Sequence, residues 1–212
     1  MLNGWSLVGV AALCTGALAA IVLGVHGTGE DGMRALLRAT ARTSLALFLL
    51  AYLASVLRAL VDRPFTRWLI RDRRYVGVSF AVSHLVHGVA IVGLSRTTGS
   101  APETGTLVAG GLAYGFLAAM AATSFDRSAA WLGPCWWNRL HRTGIHYLWF
   151  VFTVTYLGTL GEAKGAHAVY PAVATAALLG ALALRVAVRA RRGRTRARRA
   201  SAEGASRVGE LS

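Results

Sequence analysis

Two of the six histidines, His84 and His87, lie three residues apart in the middle of an uncharged segment, residues 75–95. On a helix that begins at Tyr75, they would lie roughly 14 and 18 Å from its start. An imidazole at that depth in hydrocarbon is costly, so it requires a partner such as a proton relay, a metal ion or a cofactor. A second pair, His141 and His146, opens another apolar segment. The two pairs predict a cofactor held between membrane-spanning helices.

The composition indicates an integral membrane protein. Hydrophobic residues make up 55% of the chain and charged residues 15%, against about 25% charged in a soluble domain. Five of six uncharged segments reach the length needed to span a bilayer, about 20 residues, and the short second one does so if it extends past Arg58. The segments are residues 5–25, 43–57, 75–95, 104–125, 143–161 and 165–184. The predicted fold is all-α, a polytopic six-transmembrane-helix bundle over residues 1–188, followed by a basic tail, 189–212, predicted to be disordered.

The first segment has one alternative interpretation. The stretch Ala17-Leu18-Ala19 resembles a signal-peptide cleavage site. However, no Lys or Arg precedes the apolar run, and the run is longer than a usual signal-peptide core. A membrane-spanning helix is therefore the favoured interpretation.

The arginines predict the orientation in the membrane. They cluster between the second and third segments, between the fourth and fifth, and after the sixth. The loop between the third and fourth segments carries only Arg96 with Glu103, and the loop between the fifth and sixth carries only Lys164 with Glu162. The positive-inside rule then places both termini on the cytoplasmic side of the inner (plasma) membrane. Three arginines oppose this rule because they lie in the loop predicted to be external. Their spacing predicts an interfacial extension of the second helix; they are Arg34, Arg38 and Arg42.

The net charge of +14 does not indicate a nucleic-acid partner. The basic residues concentrate at predicted cytoplasmic helix ends and in the tail, where topology and attraction to anionic lipid headgroups explain them. The predicted partner is thus the lipid bilayer. Four of these arginines flank the histidine-bearing segments and are candidates to bind cofactor carboxylates, or to act as plain membrane anchors: Arg73, Arg74, Arg139 and Arg142.

Haem b is the cofactor that the histidines favour. Neutral imidazole suits iron, whereas zinc usually also draws on carboxylates or cysteines, which the two histidine-bearing segments lack. Cys14 lies inside the first segment and Cys135 in a loop, so neither is a good ligand candidate. His26 and His167 lie near predicted external helix ends, where an interfacial histidine needs no function.

Short motifs along the chain resemble those of a known family. They are Arg73-Arg74-Tyr75-Val76-Gly77-Val78 followed by His87, then Thr123-Ser124, Leu132-Gly133, Trp137, Leu140-His141 and His146-Tyr147-Leu148-Trp149. This order is similar to that of the ferric reductase-like transmembrane proteins, in particular the haem-binding membrane subunits of bacterial methionine-sulfoxide reductase systems. The resemblance implies a six-helix haem b bundle that passes electrons across the membrane. It also implies an external flavin reductase or quinol donor, and a periplasmic reductase as a partner.

The chain departs from that family at one position. A further histidine is expected about four turns into the fifth helix, and Val154 stands there. The sequence therefore predicts one haem rather than two.

Depth along the helices and resemblance to the family favour different pairs of histidines as the ligands of the haem iron. The third and fifth predicted helices run in the same direction, so two ligands of one haem must lie at similar depth. If the fifth helix begins near Trp136, after the helix breaker Gly133-Pro134, His146 lies roughly 15 Å and His141 roughly 8 Å along it. Depth thus favours His146 opposite His84 or His87, whereas the resemblance favours His87 with His141. The resulting order of candidates is His87, then His146 and His141 nearly level, then His84.

Three functions remain open on the sequence. The first is an electron-transfer subunit whose chemistry takes place on a partner. The second is a self-contained membrane reductase of metal or quinone, and the third is a non-redox membrane protein that has lost haem.

The predicted topology can be tested by thiol labelling. Cysteines introduced at Thr98 and Gly165 should react with an impermeant reagent from the outer face, because Thr98 lies in, and Gly165 directly follows, a loop poor in arginine. Labelling only after permeabilisation would reverse the orientation. Cleavage after Ala19 would instead remove the first helix from the count.

Overall fold

A computed structural model describes residues 3–210, with side chains up to Thr195. Within this part of the chain every secondary-structure element is helical, which confirms the all-α prediction. The helices are α1 Trp5–His26, α2 Glu30–Leu60, α3 Pro64–Arg71, α4 Arg73–Thr98, α5 Thr104–Ala122, α6 Asp126–Glu162 and α7 Val169–Glu210, with a 3-10 turn, Gly165–Ala168, before α7.

Among the described residues, five stretches are long and apolar enough to cross a membrane: Trp5–His26, Glu30–Leu60, Arg73–Thr98, Thr104–Ala122 and Gly165–Thr195. Each corresponds to one of the six predicted spans, although the fourth ends three residues before the predicted end at 125. The other predicted span, residues 143–161, lies in α6, where Thr153, Thr155, Tyr156 and Thr159 interrupt the apolar residues. Helix α7 continues to Glu210 and so includes most of segment 189–212; the boundary at 188 stays a prediction.

Two helices extend beyond their apolar segments in ways that the sequence indicates. Helix α2 begins at Glu30 and therefore includes Arg34, Arg38 and Arg42. Helix α6 is broken at Gly133, whose φ of 75° and ψ of 158° lie outside the helical region. Glycine adopts a positive φ without steric cost, and Pro134 then starts the longer part of α6, because proline suits a first helical turn. This longer part carries His141 and His146.

Helix α2 occupies the centre of the bundle and contacts α1, α3, α4 and α7. Its Phe48 and Tyr52 are almost completely buried, as are Leu148 of α6 and Leu178 of α7. The seam between α2 and α4 is polar: Ser83 Oγ lies 3.3 Å from Thr43 Oγ1 and 3.1 Å from Ser44 Oγ. Small hydroxyl side chains let two helix backbones approach closely while they satisfy each other's hydrogen bonds.

The start of α1 is fixed to the start of α4 by Asp72, which is 4% exposed. Its carboxylate accepts a 3.0 Å hydrogen bond from the Gly4 N–H and a 2.9 Å bond from Arg71 Nε. The Trp5 ring packs on Tyr75 and Phe125, with centroids 5.4 and 5.0 Å away. The beginning of α1 therefore lies at the α3 end of the bundle.

We expect Asp72→Asn to weaken the attachment of α1. Burial raises the pKa of the Asp72 carboxyl, but the Gly4 N–H and the Arg71 guanidinium lower it by more, so the net pKa is below its ordinary value. The carboxylate thus contributes stability above its unfolded-state pKa, and this contribution is lost as the pH falls through the folded-state pKa. Thermal unfolding in detergent at neutral pH should show a loss of about 1 kcal/mol.

Asp62→Asn is the matched control. Asp62 is 58% exposed and pairs with Arg58 and Arg67 at 3.4 Å, so its loss should cost at most about 0.5 kcal/mol. Equal losses for the two variants would contradict a special role for Asp72.

Candidate functional site

Two cavities lie one above the other along α4, α5 and α6. The first, which we name the histidine cavity, has a volume of about 850 Å³ and includes His84, His87 and Tyr114 in its lining. The second, which we name the arginine cavity, measures about 510 Å³ and includes Arg73, Arg142 and His141. Along both α4 and α6, lower residue numbers line the arginine cavity and higher ones the histidine cavity. The two helices therefore run in the same direction, as the sequence predicts.

An apolar partition separates the two cavities. Leu148 lines both of them, while Phe80 and Phe152 face opposite sides of the partition. The Phe48 ring centroid lies 5.5 Å from that of Phe80 and 5.1 Å from that of Phe152. The aromatic packing therefore forms the floor of each cavity.

His87 contacts α2 through its Nδ1. This nitrogen lies 3.0 Å from Thr40 Oγ1, and that hydroxyl lies 2.7 Å from the Leu36 carbonyl, to which it can donate. With the Thr40 proton on that carbonyl, the His87 Nδ1–H donates to Thr40 and Nε2 keeps its lone pair; in the other tautomer Nδ1 accepts from Thr40 and Nε2 carries the hydrogen. The first arrangement, in which the other nitrogen orients the ring, is the usual form of a metal-bound imidazole.

His84 lies between two rings. Its centroid is 5.1 Å from that of His87 and 5.0 Å from that of Tyr114, and both pairs are close to parallel. Tyr114 donates a 2.9 Å hydrogen bond to the His84 backbone carbonyl. His84 Nδ1 is buried, and no described residue gives it a hydrogen bond. Because an unpaired buried nitrogen is unfavourable, His84 is a candidate to contact a bound group.

His141 lines the arginine cavity instead. Its Nε2 lies 3.2 Å from Thr123 Oγ1, which donates to the Ala119 carbonyl at 2.7 Å. With that proton on the carbonyl, the His141 Nε2–H donates to Thr123 and Nδ1 keeps the lone pair. The ring also stacks on Trp137 at 4.1 Å. His141 thus contacts its threonine through Nε2, whereas His87 does so through Nδ1.

His146 faces α2 rather than either cavity. Its Nδ1 lies 3.3 Å from the Tyr52 hydroxyl, and it belongs to the lining of neither cavity. The structure therefore does not bring His87 together with His146 or with His141 in one cavity.

The lining of the histidine cavity does include His167, from the 3-10 turn. The sequence did not indicate a role for His167, because a histidine at a helix end needs no function.

The arginines divide between the two cavities. Of the four predicted from the sequence, Arg73, Arg74 and Arg142 line the arginine cavity, whereas Arg139 lies over the Trp136 ring at 5.2 Å, outside it. Five further arginines that the sequence did not indicate as cofactor-binding candidates also line the cavities. Arg71, Arg185 and Arg189 line the arginine cavity, and Arg38 and Arg42 line the histidine cavity.

Val154, which stands at the position of the expected further histidine, also lines the histidine cavity. Within the described part of the chain, no three His, Cys, Asp or Glu side chains are grouped closely enough to hold a bare metal ion. Haem iron differs from a bare ion because the porphyrin supplies four of its ligands, so that a single proximal histidine can hold it.

Comparisons with known proteins add no relative: no family model, curated protein or solved structure matches the chain. The resemblance to the ferric reductase-like proteins therefore stays a hypothesis that rests on the short motifs.

We expect Gly88→Ala to disturb the packing around His84. A Cβ at Gly88 would lie 2.8 Å from the Tyr114 hydroxyl and 3.0 Å from its ring, so Tyr114 would have to move away from the His84 carbonyl. Overpacking of this kind costs about 1–3 kcal/mol, measurable by thermal unfolding. In a Tyr114→Ala background the added cost of Gly88→Ala should fall close to zero.

Gly77→Ala on the same helix provides the control. A Cβ at Gly77 meets no atom within 4 Å, so this change should be neutral or slightly stabilising, since alanine is the better helix former. Equal losses at Gly77 and Gly88 would rule out the contact with Tyr114 as the cause.

Proposed function

We propose that this protein is a haem b-binding integral membrane electron-transfer subunit, with its haem in the histidine cavity. The observation that carries the proposal is His87, which lines an apolar cavity with its Nδ1 3.0 Å from Thr40 Oγ1. In the tautomer whose Nδ1–H donates to Thr40, Nε2 keeps the lone pair that an iron ligand needs. The order and spacing of the family-like motifs support the same function independently.

The other residues of the histidine cavity fit this cofactor. A volume of about 850 Å³ lies within the usual range for a bound organic cofactor. Leu148, Phe150, Val151 and Phe152 supply an apolar wall from α6. Arg38 and Arg42 offer guanidinium groups to propionates. They take the role that the sequence suggests for Arg73, Arg74, Arg139 and Arg142, which are absent from this cavity.

Three side chains act around the cofactor in this proposal. His87 binds it, Thr40 fixes the orientation of His87, and His84 packs beside His87. When bound, haem supplies one-electron redox chemistry. His84 belongs to the same face of α4 as His87, so the two would not both hold the iron. His167, from the 3-10 turn, also lines this cavity, and it would be the second imidazole to hold the cofactor.

The proposal includes an arrangement in the membrane. Residues 143–161 of α6 would form a sixth span, both termini would be cytoplasmic, and the protein would reside in the inner membrane. Supporting this, the start of α1 contacts Asp72, and Arg185 and Arg189 of α7 line the arginine cavity at the same end of the bundle. A cytoplasmic flavin reductase or quinol would supply electrons at this end, and a periplasmic reductase or other acceptor would receive them at the other.

The visible spectrum of the purified protein tests this function. We expect about one haem b per chain by pyridine haemochrome, and its loss in His87→Ala, because Nε2 of His87 is the proposed ligand. His84→Ala should keep the haem with an altered potential, since loss of a neighbouring side chain weakens binding without removing the ligand. Thr40→Val should resemble His84→Ala, and Thr40→Ser, which keeps the hydroxyl, should resemble the unmodified protein.

The remaining outcomes separate the alternatives. Haem close to zero in the unmodified protein would favour a non-redox membrane protein. An unchanged spectrum in His87→Ala would assign the iron ligand to another histidine. Two haems per chain would show that the valine at position 154 does not limit the number of haems bound. Reduction of ferric chelates or quinones by the pre-reduced protein alone would indicate a self-contained reductase.

A further inference from the structure

The arginine cavity carries an excess of positive charge. Among the side chains that the structure describes, six arginines line it and no Asp or Glu does. Two of the six have acidic partners: Arg71 pairs with Asp72, and Arg74 with Asp126. Among the side chains up to Thr195, the other four form no ion pair; they are Arg73, Arg142, Arg185 and Arg189.

These four guanidinium groups come from three different helices. Arg73 begins α4, Arg142 belongs to α6, and Arg185 and Arg189 belong to α7. Arg185 is held in place because it donates a 2.6 Å hydrogen bond to the Tyr52 carbonyl and lies 4.1 Å from the Tyr52 ring centroid. When no counter-charge is present, these four positive guanidinium groups repel one another, so a bound anion would stabilise the cluster.

The deeper part of the same cavity is apolar. Phe48, Ala51, Phe80, Leu117 and Leu148 line it. A ligand that fills the cavity therefore needs an anionic end among the arginines and a hydrocarbon part against this floor. That is the chemistry of an anionic amphiphile.

We propose that the arginine cavity binds the phosphate group of an anionic phospholipid, with an acyl chain along the apolar floor. A tetrahedral phosphate accepts hydrogen bonds from several directions, which suits guanidinium groups on three helices better than a planar carboxylate does. Basic pockets between membrane helices on the cytoplasmic side are suited to anionic headgroups. This site is independent of the haem proposed for the histidine cavity.

The test uses the full chain, purified in a neutral detergent and freed of lipid. Phosphatidylglycerol should give one retained lipid per chain by native mass spectrometry and should raise the unfolding midpoint. Zwitterionic phosphatidylcholine should do neither, and oleate should be at least several-fold weaker. A full shift with millimolar inorganic phosphate and no further gain from phosphatidylglycerol would overturn the lipid source.

Charge variants locate the site. Arg73→Gln with Arg142→Gln should weaken phosphatidylglycerol binding at least tenfold, and the corresponding lysine variants should restore part of it. Arg139→Gln is the matched control, because Arg139 belongs to the same helix as Arg142 but lies outside the cavity; its binding should stay within twofold. Equal weakening by Arg139→Gln would overturn the proposal in favour of general surface attraction.

The haem proposal and the lipid proposal fail separately. His87→Ala should keep phosphatidylglycerol binding, because His87 is not part of the arginine cavity. Loss of lipid binding in His87→Ala would overturn the independence of the two sites. If the unmodified protein binds lipid but contains no haem, the proposed function is wrong and the lipid site still holds.

Discussion

The hydrogen bond from His87 Nδ1 to Thr40 Oγ1 joins the two helices on which the rest of the bundle depends. It belongs to the polar seam between α2 and α4, together with the contacts of Ser83 with Thr43 and Ser44. In apolar surroundings such groups have few alternative partners, so the seam fixes how far α4 is rotated against α2. That rotation directs His84 and His87 into the cavity beside α5 and α6.

The same contact bears on the chemistry of the imidazole. With the Thr40 proton on the Leu36 carbonyl, Thr40 accepts from the His87 Nδ1–H and Nε2 keeps its lone pair. Thr123 contacts His141 through Nε2 instead, so the same arrangement of protons there leaves the lone pair on Nδ1. The two histidines therefore keep different ring nitrogens free of threonine contact.

The aromatic partition gives the two cavities different characters. On one side, His84 and His87 face mainly apolar side chains, with Arg38 and Arg42 also in the lining. On the other, six arginines surround an apolar floor. In the two proposals, an anionic lipid lies among these arginines and a haem lies beyond the partition. Each proposal thus rests on its own set of side chains.

The sequence by itself determined the helical class, five of the apolar spans, the break at Gly133 and the shared direction of α4 and α6. These follow from segment length, hydrophobicity and backbone preference, which are local properties. The tertiary structure decided which faces meet. Depth along the helix placed His146 level with His87, yet rotation turns His146 toward Tyr52 and leaves Val154 in the histidine cavity. A helix that is apolar on most sides shows no preferred buried face in its sequence, so its rotation is set only by packing against its neighbours. For the same reason, the local sequence around Arg185 and His167 does not indicate that they line the cavities.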